Sequence, residues 1–225
     1  MADDLERRRR VGAELVRLTG GDPFSLVAAA AEEHRAHHLQ GCGLYSAGPS
    51  VMRLAATFAR AGGARRVLDL GTGFGYSALW LADAIGPTGH VTAIDRHDEH
   101  IGEARRFAAQ FGLDDRTTFV VAEVDDALRD LDQPFDLVHD DAWFAQEPSY
   151  LDAMLGALRP GGMVTMPNWF LLEDAVTGEP RNEWAAFAGP EWAAATRRYA
   201  ARLLADDALH VTFVVSPPLG VVVKL

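Results

Sequence analysis

The most informative segment of this sequence is Val67-Leu-Asp-Leu-Gly-Thr-Gly-Phe-Gly-Tyr-Ser77. An apolar run with one acid leads into three glycines at alternate positions, and the residues that follow have helix composition. The pattern predicts a strand, a tight turn and the start of a helix, whose first backbone N–H groups lack partners within the helix. Because glycine lets a ligand approach the backbone closely, we expect a polar ligand at this turn.

The class of ligand follows from the glycine spacing and from the next predicted strand. A dinucleotide site has the pattern G-x-G-x-x-G, whereas this turn has G-x-G-x-G with Asp69 two residues before it. The following strand, His90–Asp95, ends in a carboxylate that can accept hydrogen bonds from both ribose hydroxyls. A turn without a pyrophosphate pattern, combined with a ribose-binding acid, favours S-adenosylmethionine over NAD. The alternative is an ordinary strand-to-helix turn.

Composition predicts one soluble domain in the cytoplasm. The chain has 225 residues, of which 48% are hydrophobic and 24% charged, and this length suits a single α/β domain. Within residues 1–225 we expect a helical cap in 1–62 and a Rossmann-like cofactor-binding core in 63–225. No apolar run is long enough to span a membrane, and the charged residues 1–10 lack the apolar stretch of a signal peptide. We therefore expect a cytoplasmic protein with no membrane partner.

The charge of the chain argues against nucleic acid as a partner. Its formal net charge of −11 repels phosphate backbones. The basic run Arg7–Arg10 lies among apolar residues of helical period, which indicates the solvent-facing side of a helix. The single cysteine, Cys42, cannot form an internal disulfide, and we expect it to be a small buried apolar residue.

The second predicted helix carries three histidines on one face. His34, His37 and His38 are neighbours there, because residues three and four positions apart meet on a helix surface. No carboxylate or cysteine completes a metal site on that face. A role above the active site is one alternative, and the pattern favours plain surface histidines.

The order of predicted elements indicates a doubly wound α/β fold. Strands alternate with helices after residue 62, so the sheet is mostly parallel with helices on both faces. Two closely joined strands at the end must be antiparallel. We predict a Rossmann-like seven-stranded sheet with a C-terminal antiparallel hairpin, added N-terminal helices, and the cofactor at the carboxyl ends of the first two strands. The predicted helices are 3–19, 24–39, 50–61, 75–84, 98–111, 125–131, 148–158 and 191–206, and the predicted strands are 67–70, 90–95, 117–121, 135–140, 162–167, 210–216 and 221–224.

Five segments carry a family resemblance that spans about residues 45 to 225. They are Val67–Trp80, Val91–Asp95, Phe135–Ala142, Leu158–Gly162 and Pro218–Lys224. In these segments the chain resembles the class I S-adenosylmethionine-dependent O-methyltransferases of the catechol and caffeoyl-CoA type. The G-Y-S-A-L-W continuation of the glycine turn and the L-R-P-G-G turn make the match specific. The resemblance implies a small-molecule acceptor and a homodimer formed through the N-terminal helices.

The resemblance also implies cofactor contacts. Gly71 and Gly73 would pack against the methionine part of the cofactor, with Asp69 near its amino group. Asp95 would hold the ribose, and Glu123 would lie beside the adenine. The other cofactor-binding residues predicted in this way are Tyr45 and Ser46 in the loop that closes on the methionine carboxylate, Thr72, Tyr76 and Ser77 around the turn, Arg96 beside the ribose acid, and Asp141.

Two departures from the family pattern fall on its metal site. The family has a metal-binding Asp followed by a Lys after strand four; Asp141 keeps the acid, but the lysine position is Phe144. Strand five of the family ends in Asp-Asn, and here Pro167 precedes Asn168. Two of three implied metal ligands remain, Asp141 and Asn168, which would still permit a Mg²⁺ ion held partly by water. The loss of the carboxylate and the lysine together favours an enzyme without a metal.

Metal-free transfer requires a group that accepts the proton of the acceptor. Asp141 at the tip of strand four is the first candidate, and His139 is the second because residues two apart on a strand share a face. The alternatives are a carboxylate that orients a ligand and a buried core histidine. The predicted acceptor pocket, which would suit an aromatic compound, contains Asn168 and the aromatic residues Trp143, Trp169, Phe170, Trp184, Phe187 and Trp192; helix packing is the alternative for these aromatic residues.

Three functions are compatible with these observations. The first is a metal-free methyltransferase that acts on a hydroxyl of a small, aromatic or secondary-metabolite acceptor, with nitrogen as the alternative nucleophile. The second is a Mg²⁺-dependent catechol-type enzyme with Asp140, Asp141 and Asn168 as a rearranged ligand set. The third is a cofactor-binding partner or regulatory protein without activity. The two departures at the metal site favour the first.

Overall fold

The computed structural model describes residues 2–37, 44–131, 134–142, 148–177 and 191–225. Its helices are α1 (Ala2–Leu18), α2 (Ser25–His37), α3 (Pro49–Ala61), α4 (Tyr76–Ile85), α5 (Asp98–Phe111), α6 (Val124–Arg129), α7 (Pro148–Gly156), α8 (Phe170–Thr177) and α9 (Trp192–Leu204). Its strands are β1 (Arg66–Leu70), β2 (His90–Asp95), β3 (Thr117–Val121), β4 (Phe135–Asp140), β5 (Leu158–Met166), β6 (Leu209–Val215) and β7 (Pro218–Lys224).

The strands form one seven-stranded sheet in the order β3-β2-β1-β4-β5-β7-β6. The first five are parallel, while β7 runs antiparallel to both β5 and β6. This arrangement confirms the predicted Rossmann-like sheet with its C-terminal antiparallel hairpin. The strand order reverses between β1 and β4, which places a crevice at their carboxyl ends, where open α/β sheets bind ligands.

Two apolar layers hold the sheet, one on each face. Because strand side chains alternate, Val67 and Leu137 enter the layer under α3, α4 and α5, while Leu68, Leu70 and Val138 enter the layer against α7, α8 and α9. All five side chains are fully buried, and burial of each contributes roughly 1.5–3 kcal/mol. The centre of the sheet, β1 and β4, is therefore a rigid support for the crevice.

The N-terminal helices differ in how deeply they pack. Val27 of α2 and Met52 of α3 are fully buried in the first apolar layer. In contrast, α1 leaves Val11, Leu15 and Leu18 more than half exposed. Among the helices described, none is both long and apolar enough to cross a membrane.

The predicted bounds hold for β2, α5, β3 and β4, and they are wrong for the starts of β5 and β7. β5 begins at Leu158 and not at 162, because Phe135 pairs with Leu158 and Leu137 next pairs with Met163. The L-R-P-G-G segment, predicted as a turn, is thus a bulge inside a strand. β7 begins at Pro218 and not at 221, since a proline is tolerated as the first residue of a strand.

Candidate active site

The glycine turn lies between the carboxyl ends of β1, β2 and β4. The amides of Gly71 and Thr72 both donate hydrogen bonds to the carbonyl of Ile94, at 2.9 and 3.0 Å, so the turn is fixed to β2. Gly71 has a φ of 80°, and a Cβ at this position would lie 2.8 Å from the Cα of Ala142. Only glycine combines this backbone conformation with such a close approach of two chain segments.

Asp95 ends β2 with its carboxylate held from three sides. Oδ2 accepts a hydrogen bond of 2.9 Å from the amide of Gly73, and Oδ1 accepts one of 2.9 Å from the amide of His97. Nδ1 of His100 lies 3.3 Å from Oδ1. Burial alone would raise the pKa of Asp95, but the hydrogen bonds from His100, His97 and Gly73 outweigh burial and lower it. The carboxylate is therefore ionised, fixed in place and able to accept hydrogen bonds from hydroxyl groups.

A cavity of about 370 Å³ opens beside the turn. This volume lies in the range of small-molecule sites. The lining residues that the sequence analysis predicted are Tyr45, Gly71, Gly73, Asp95, Arg96, Glu123, Asp141 and Asn168. The lining residues that it did not predict are Leu44, His97, His100, Val124, Asp125 and Ala142.

Asp69 lies under the turn and not in the cavity lining. It is fully buried, and one carboxylate oxygen accepts a 2.7 Å hydrogen bond from the hydroxyl of Ser77. Burial raises the pKa of Asp69 to about 6, although the hydroxyls of Thr72 and Ser77 stabilise its ionised form. This acid fixes the first turn of α4 and places a titratable group behind the cavity wall.

The remaining cofactor residues predicted around the turn also lie outside the cavity lining. The hydroxyl of Tyr76 donates a 2.8 Å hydrogen bond to Asp22, which connects α4 to the segment between α1 and α2. Thr72 is buried within the turn, and Ser46 follows Tyr45 without joining it in the lining. Thr72 and Tyr76 therefore support the turn, and neighbouring residues line the cavity.

Asp141 and Asn168 meet at the cavity wall, after the ends of β4 and β5. The side-chain amide of Asn168 donates a 2.7 Å hydrogen bond to Oδ1 of Asp141. Burial raises the pKa of Asp141 well above its ordinary value, and the charges of Asp69 and Asp140 raise it further against the opposing effect of Asn168. Asp141 therefore takes up a proton much more readily than an exposed aspartate does.

His139 and Asp140 lie in the interior and outside the cavity lining. Nδ1 of His139 is 2.9 Å from the hydroxyl of Thr165, and burial lowers the pKa of His139 to about 4. Asp140 accepts a 2.5 Å hydrogen bond from the hydroxyl of Tyr150, and burial raises the pKa of Asp140 to about 6 against that bond. We expected His139 and Asp141 to lie on the same face of β4. Because β4 ends at Asp140, the alternation of side chains stops before Asp141, and only Asp141 reaches the cavity.

The described residues do not form the predicted aromatic wall of the acceptor pocket. Trp169 is buried and stacks on Phe213, with ring centroids 4.2 Å apart and an interplanar angle of 11°. Phe170 and Trp192 pack against the second apolar layer. All three therefore pack within the fold, as in the alternative of helix packing, although Trp169 packs on a strand residue. The residues His38, Cys42, Trp143, Phe144, Trp184 and Phe187 lie outside the described residues.

A cluster of rings behind Asp95 was missed by the sequence analysis. The ring of His100 lies 5.6 Å from those of Phe74 and His34 and 4.6 Å from that of His97. The side chain of His34 is only 13% exposed, so the prediction of a surface histidine is wrong for this residue. The available signal was the three-residue spacing of His97 and His100 directly after the acid of β2.

The sequence and structure comparisons with known proteins all point to methyltransferases. Residues 62–187 match a family model described as "Methyltransferase domain". A protein of Mycolicibacterium vanbaalenii that is named as an O-methyltransferase is 35% identical over 81% of this chain and 76% of its own length. Among solved structures, cofactor-bound Rv0187 from MTB is 26% identical with a TM-score of 0.76, covering 95% of each chain. SAH-bound methyltransferase PaMTH1 of Podospora anserina is 21% identical with a TM-score of 0.79, covering 98% of this chain and 96% of its own.

Proposed function

The chain belongs to the methyltransferase family, among the S-adenosylmethionine-dependent O-methyltransferases, and on this premise we propose that its acceptor is a small aromatic hydroxyl compound and that methyl transfer requires no metal ion. The observation that carries the proposal is the pairing of Asn168 with Asp141 at the cavity wall, where the family resemblance implies metal ligands.

The cavity fits the cofactor at two points. Gly71 and Gly73 line the cavity at the turn, and Asp95 offers an ionised carboxylate to a ribose. Asp69 lies behind the wall, and Asp141 lies in it. These acids give the wall a negative potential that suits a ligand with a positively charged sulfur and an ammonium group.

The donor chemistry near Asp141 supports methyl transfer without a metal ion. A hard divalent cation binds oxygen ligands, preferably ionised carboxylates. The Asp141 carboxylate already accepts a hydrogen bond from the Asn168 amide nitrogen, which cannot ligate a cation. Asp140, the other acid of the rearranged ligand set, accepts the buried hydrogen bond of the Tyr150 hydroxyl and does not line the cavity. This arrangement supports the metal-free function over the Mg²⁺-dependent one.

The reaction then depends on position and on one proton transfer. S-adenosylmethionine, when bound, supplies a methyl group on a sulfonium, a leaving group that needs no further activation. Asp141 accepts the proton of the acceptor hydroxyl, since its raised pKa makes it a stronger base than an exposed aspartate. Asn168 holds the Asp141 carboxylate in one orientation. Leu44 and Tyr45 give the cavity an apolar wall that can pack against an aromatic ring.

The test is methyl transfer to a panel of phenols and catechols, measured with EDTA and with added Mg²⁺. We expect equal rates in both conditions. Asp141→Asn should lower kcat by roughly 10²- to 10⁴-fold, the usual effect of losing a general base, with S-adenosylhomocysteine affinity as the check on an intact site. Asp114→Asn, at an exposed acid outside the cavity, is the matched control. Activity that disappears with EDTA and returns with Mg²⁺ would contradict the proposal, and cofactor binding without turnover on any acceptor would favour a non-catalytic protein.

The proposal includes a homodimer formed through α1. Val11, Leu15 and Leu18 leave an apolar stripe on this helix more than half exposed, and exposed apolar stripes of a helix are buried by partner helices in many assemblies. Sedimentation equilibrium should give twice the chain mass for the wild type and a single chain mass for Leu15→Glu. A monomeric wild type at micromolar concentration would contradict this part.

A further inference from the structure

A second ligand chemistry is present at the ribose end of the cavity. Within the part of the chain that the structure describes, the one group of three or more metal-ligating side chains found close together is Asp95, His97 and His100. We call these residues the Asp-His-His cluster. It lies where β2 ends and α5 begins, and β1 separates it from Asp141 after β4, the residue to which the family resemblance assigns a metal.

The spacing of the cluster suits a small cation. One ligand atom from each residue lies within 4.8 Å of the other two, and Nδ1 of His100 is 3.3 Å from Oδ1 of Asp95. Ligand bonds of roughly 2.0–2.2 Å at tetrahedral angles place neighbouring ligand atoms about 3.4 Å apart. Asp95 and His100 stand at this separation in their hydrogen bond, and a cation would replace the Nδ1 proton that His100 now shares with Asp95. The exposed ring of His97 can rotate to complete the set.

Two of the three ligand side chains, those of Asp95 and His100, are already fixed in place by neighbouring residues before any metal binds. The amides of Gly73 and His97 fix the Asp95 carboxylate. The ring of His100 is 7% exposed and packs against the rings of Phe74 and His34. Rigid ligands lose little conformational entropy on binding, so this support strengthens a metal site.

The third ligand presents a lone pair. Nε of Arg96 donates a 3.1 Å hydrogen bond to Nε2 of His97, so this nitrogen acts as an acceptor. A cation would take the place of the Arg96 N–H group, and the arginine side chain is exposed and free to turn into solvent. The repulsion between a divalent ion and the Arg96 guanidinium is the main unfavourable contribution to metal binding at this site.

We propose that the Asp-His-His cluster binds a divalent transition-metal ion, Zn²⁺ foremost, and that this ion and the ribose of the cofactor exclude each other. Two imidazoles and one carboxylate form a ligand set that Zn²⁺ accepts with one position left for water, whereas Mg²⁺ prefers oxygen ligands alone. The exclusion rests on the proposed place of the ribose at Asp95. The expected effect is inhibition of methyl transfer by Zn²⁺ that added S-adenosylmethionine reverses.

The test uses the untagged full chain and Zn²⁺ alone, in competition with a chromophoric chelator. We expect one Zn²⁺ per chain, and at least a roughly 10-fold loss of affinity in His97→Ala and in His100→Phe, since even a residue that only supports a ligand is worth 10–100-fold. His100→Phe keeps an aromatic ring against its neighbours. His90→Ala, at the other end of β2 and outside the cavity, is the control and should keep the wild-type affinity. Equal Zn²⁺ affinity in wild type, His97→Ala and His100→Phe would overturn the site.

A second measurement tests the exclusion separately. Saturating S-adenosylhomocysteine should weaken Zn²⁺ binding at least 10-fold; unchanged Zn²⁺ affinity would overturn mutual exclusion. Uptake of S-adenosylhomocysteine is measured beforehand by calorimetry in EDTA. A failure of that uptake would count against the proposed function, while the Zn²⁺ affinities of the variants would still decide the metal site.

Discussion

Replacing Gly71 by alanine tests whether the glycine turn is set by the approach of two backbone segments. Two costs add at this position. A left-handed φ of 80° costs an ordinary residue roughly 1–2 kcal/mol. The new Cβ would also lie 2.8 Å from Cα and 2.9 Å from N of Ala142. These are backbone atoms that cannot rotate away, so overpacking adds about 1–3 kcal/mol. We expect Gly71→Ala to lower the free energy of unfolding by about 2–5 kcal/mol.

A second glycine provides the matched control for this experiment. Gly112, after α5, has a φ of 65°, and a Cβ there would meet nothing within 4 Å. Gly112→Ala therefore carries the backbone strain alone, about 1–2 kcal/mol. Urea unfolding of both variants at one pH, analysed for the midpoint at constant m-value, separates the two costs. If Gly71→Ala loses no more stability than Gly112→Ala, the close approach to Ala142 does not constrain the turn, and our account of it is wrong.

Three further predictions concern acids of the sheet. Asp140 has a pKa raised by burial to about 6, so its protonation stabilises the fold as pH falls below 6; Asp140→Asn, which can still accept the Tyr150 hydrogen bond, should remove about 2 kcal/mol of the stability that the wild type gains between pH 7.5 and pH 4.5 in urea unfolding. Asp136 has a pKa lowered by Arg159 and two backbone amides, against burial; Asp136→Ala should cost about 2–4 kcal/mol at pH 7, and a loss under 0.5 kcal/mol would contradict this. Asp95→Asn should weaken S-adenosylhomocysteine binding by roughly 10- to 100-fold in calorimetry, the effect of one charged hydrogen bond.

The fold was predictable where local pattern and tertiary environment agree. β2 and β4 are apolar runs ended by acids at the carboxyl edge of the sheet, and both were predicted with their observed bounds. The starts of β5 and β7 were missed because glycine and proline indicate turns in a sequence. In the folded sheet they occupy a bulge after Leu158 and the first position of a strand at Pro218. The decision between turn and bulge depends on the partner strand, which a local pattern does not contain.

The site was predictable for backbone positions and less so for side-chain directions. Asp95 is the last residue of β2 and Asp141 directly follows β4. Because these strands are parallel, the topology alone brings both acids to the same edge of the sheet. His139 was expected beside Asp141 from strand alternation, but the strand stops one residue earlier and the histidine stays buried. The presence of His100 in the site was not predicted, because its position depends on how α5 packs against Phe74.

The hydrogen bond between Tyr76 and Asp22 bears on where the smallest folding unit begins. A deletion that stops before Asp22 removes α1, whose apolar side is open to solvent, and leaves the tyrosine hydroxyl satisfied. A deletion that extends to Phe24 removes the acceptor from a phenol that is 3% exposed, at a cost of about 1–3 kcal/mol, together with a ring packed against Trp80. We therefore expect the smallest independently folding unit to start near Asp22, upstream of residue 62, where the methyltransferase match begins.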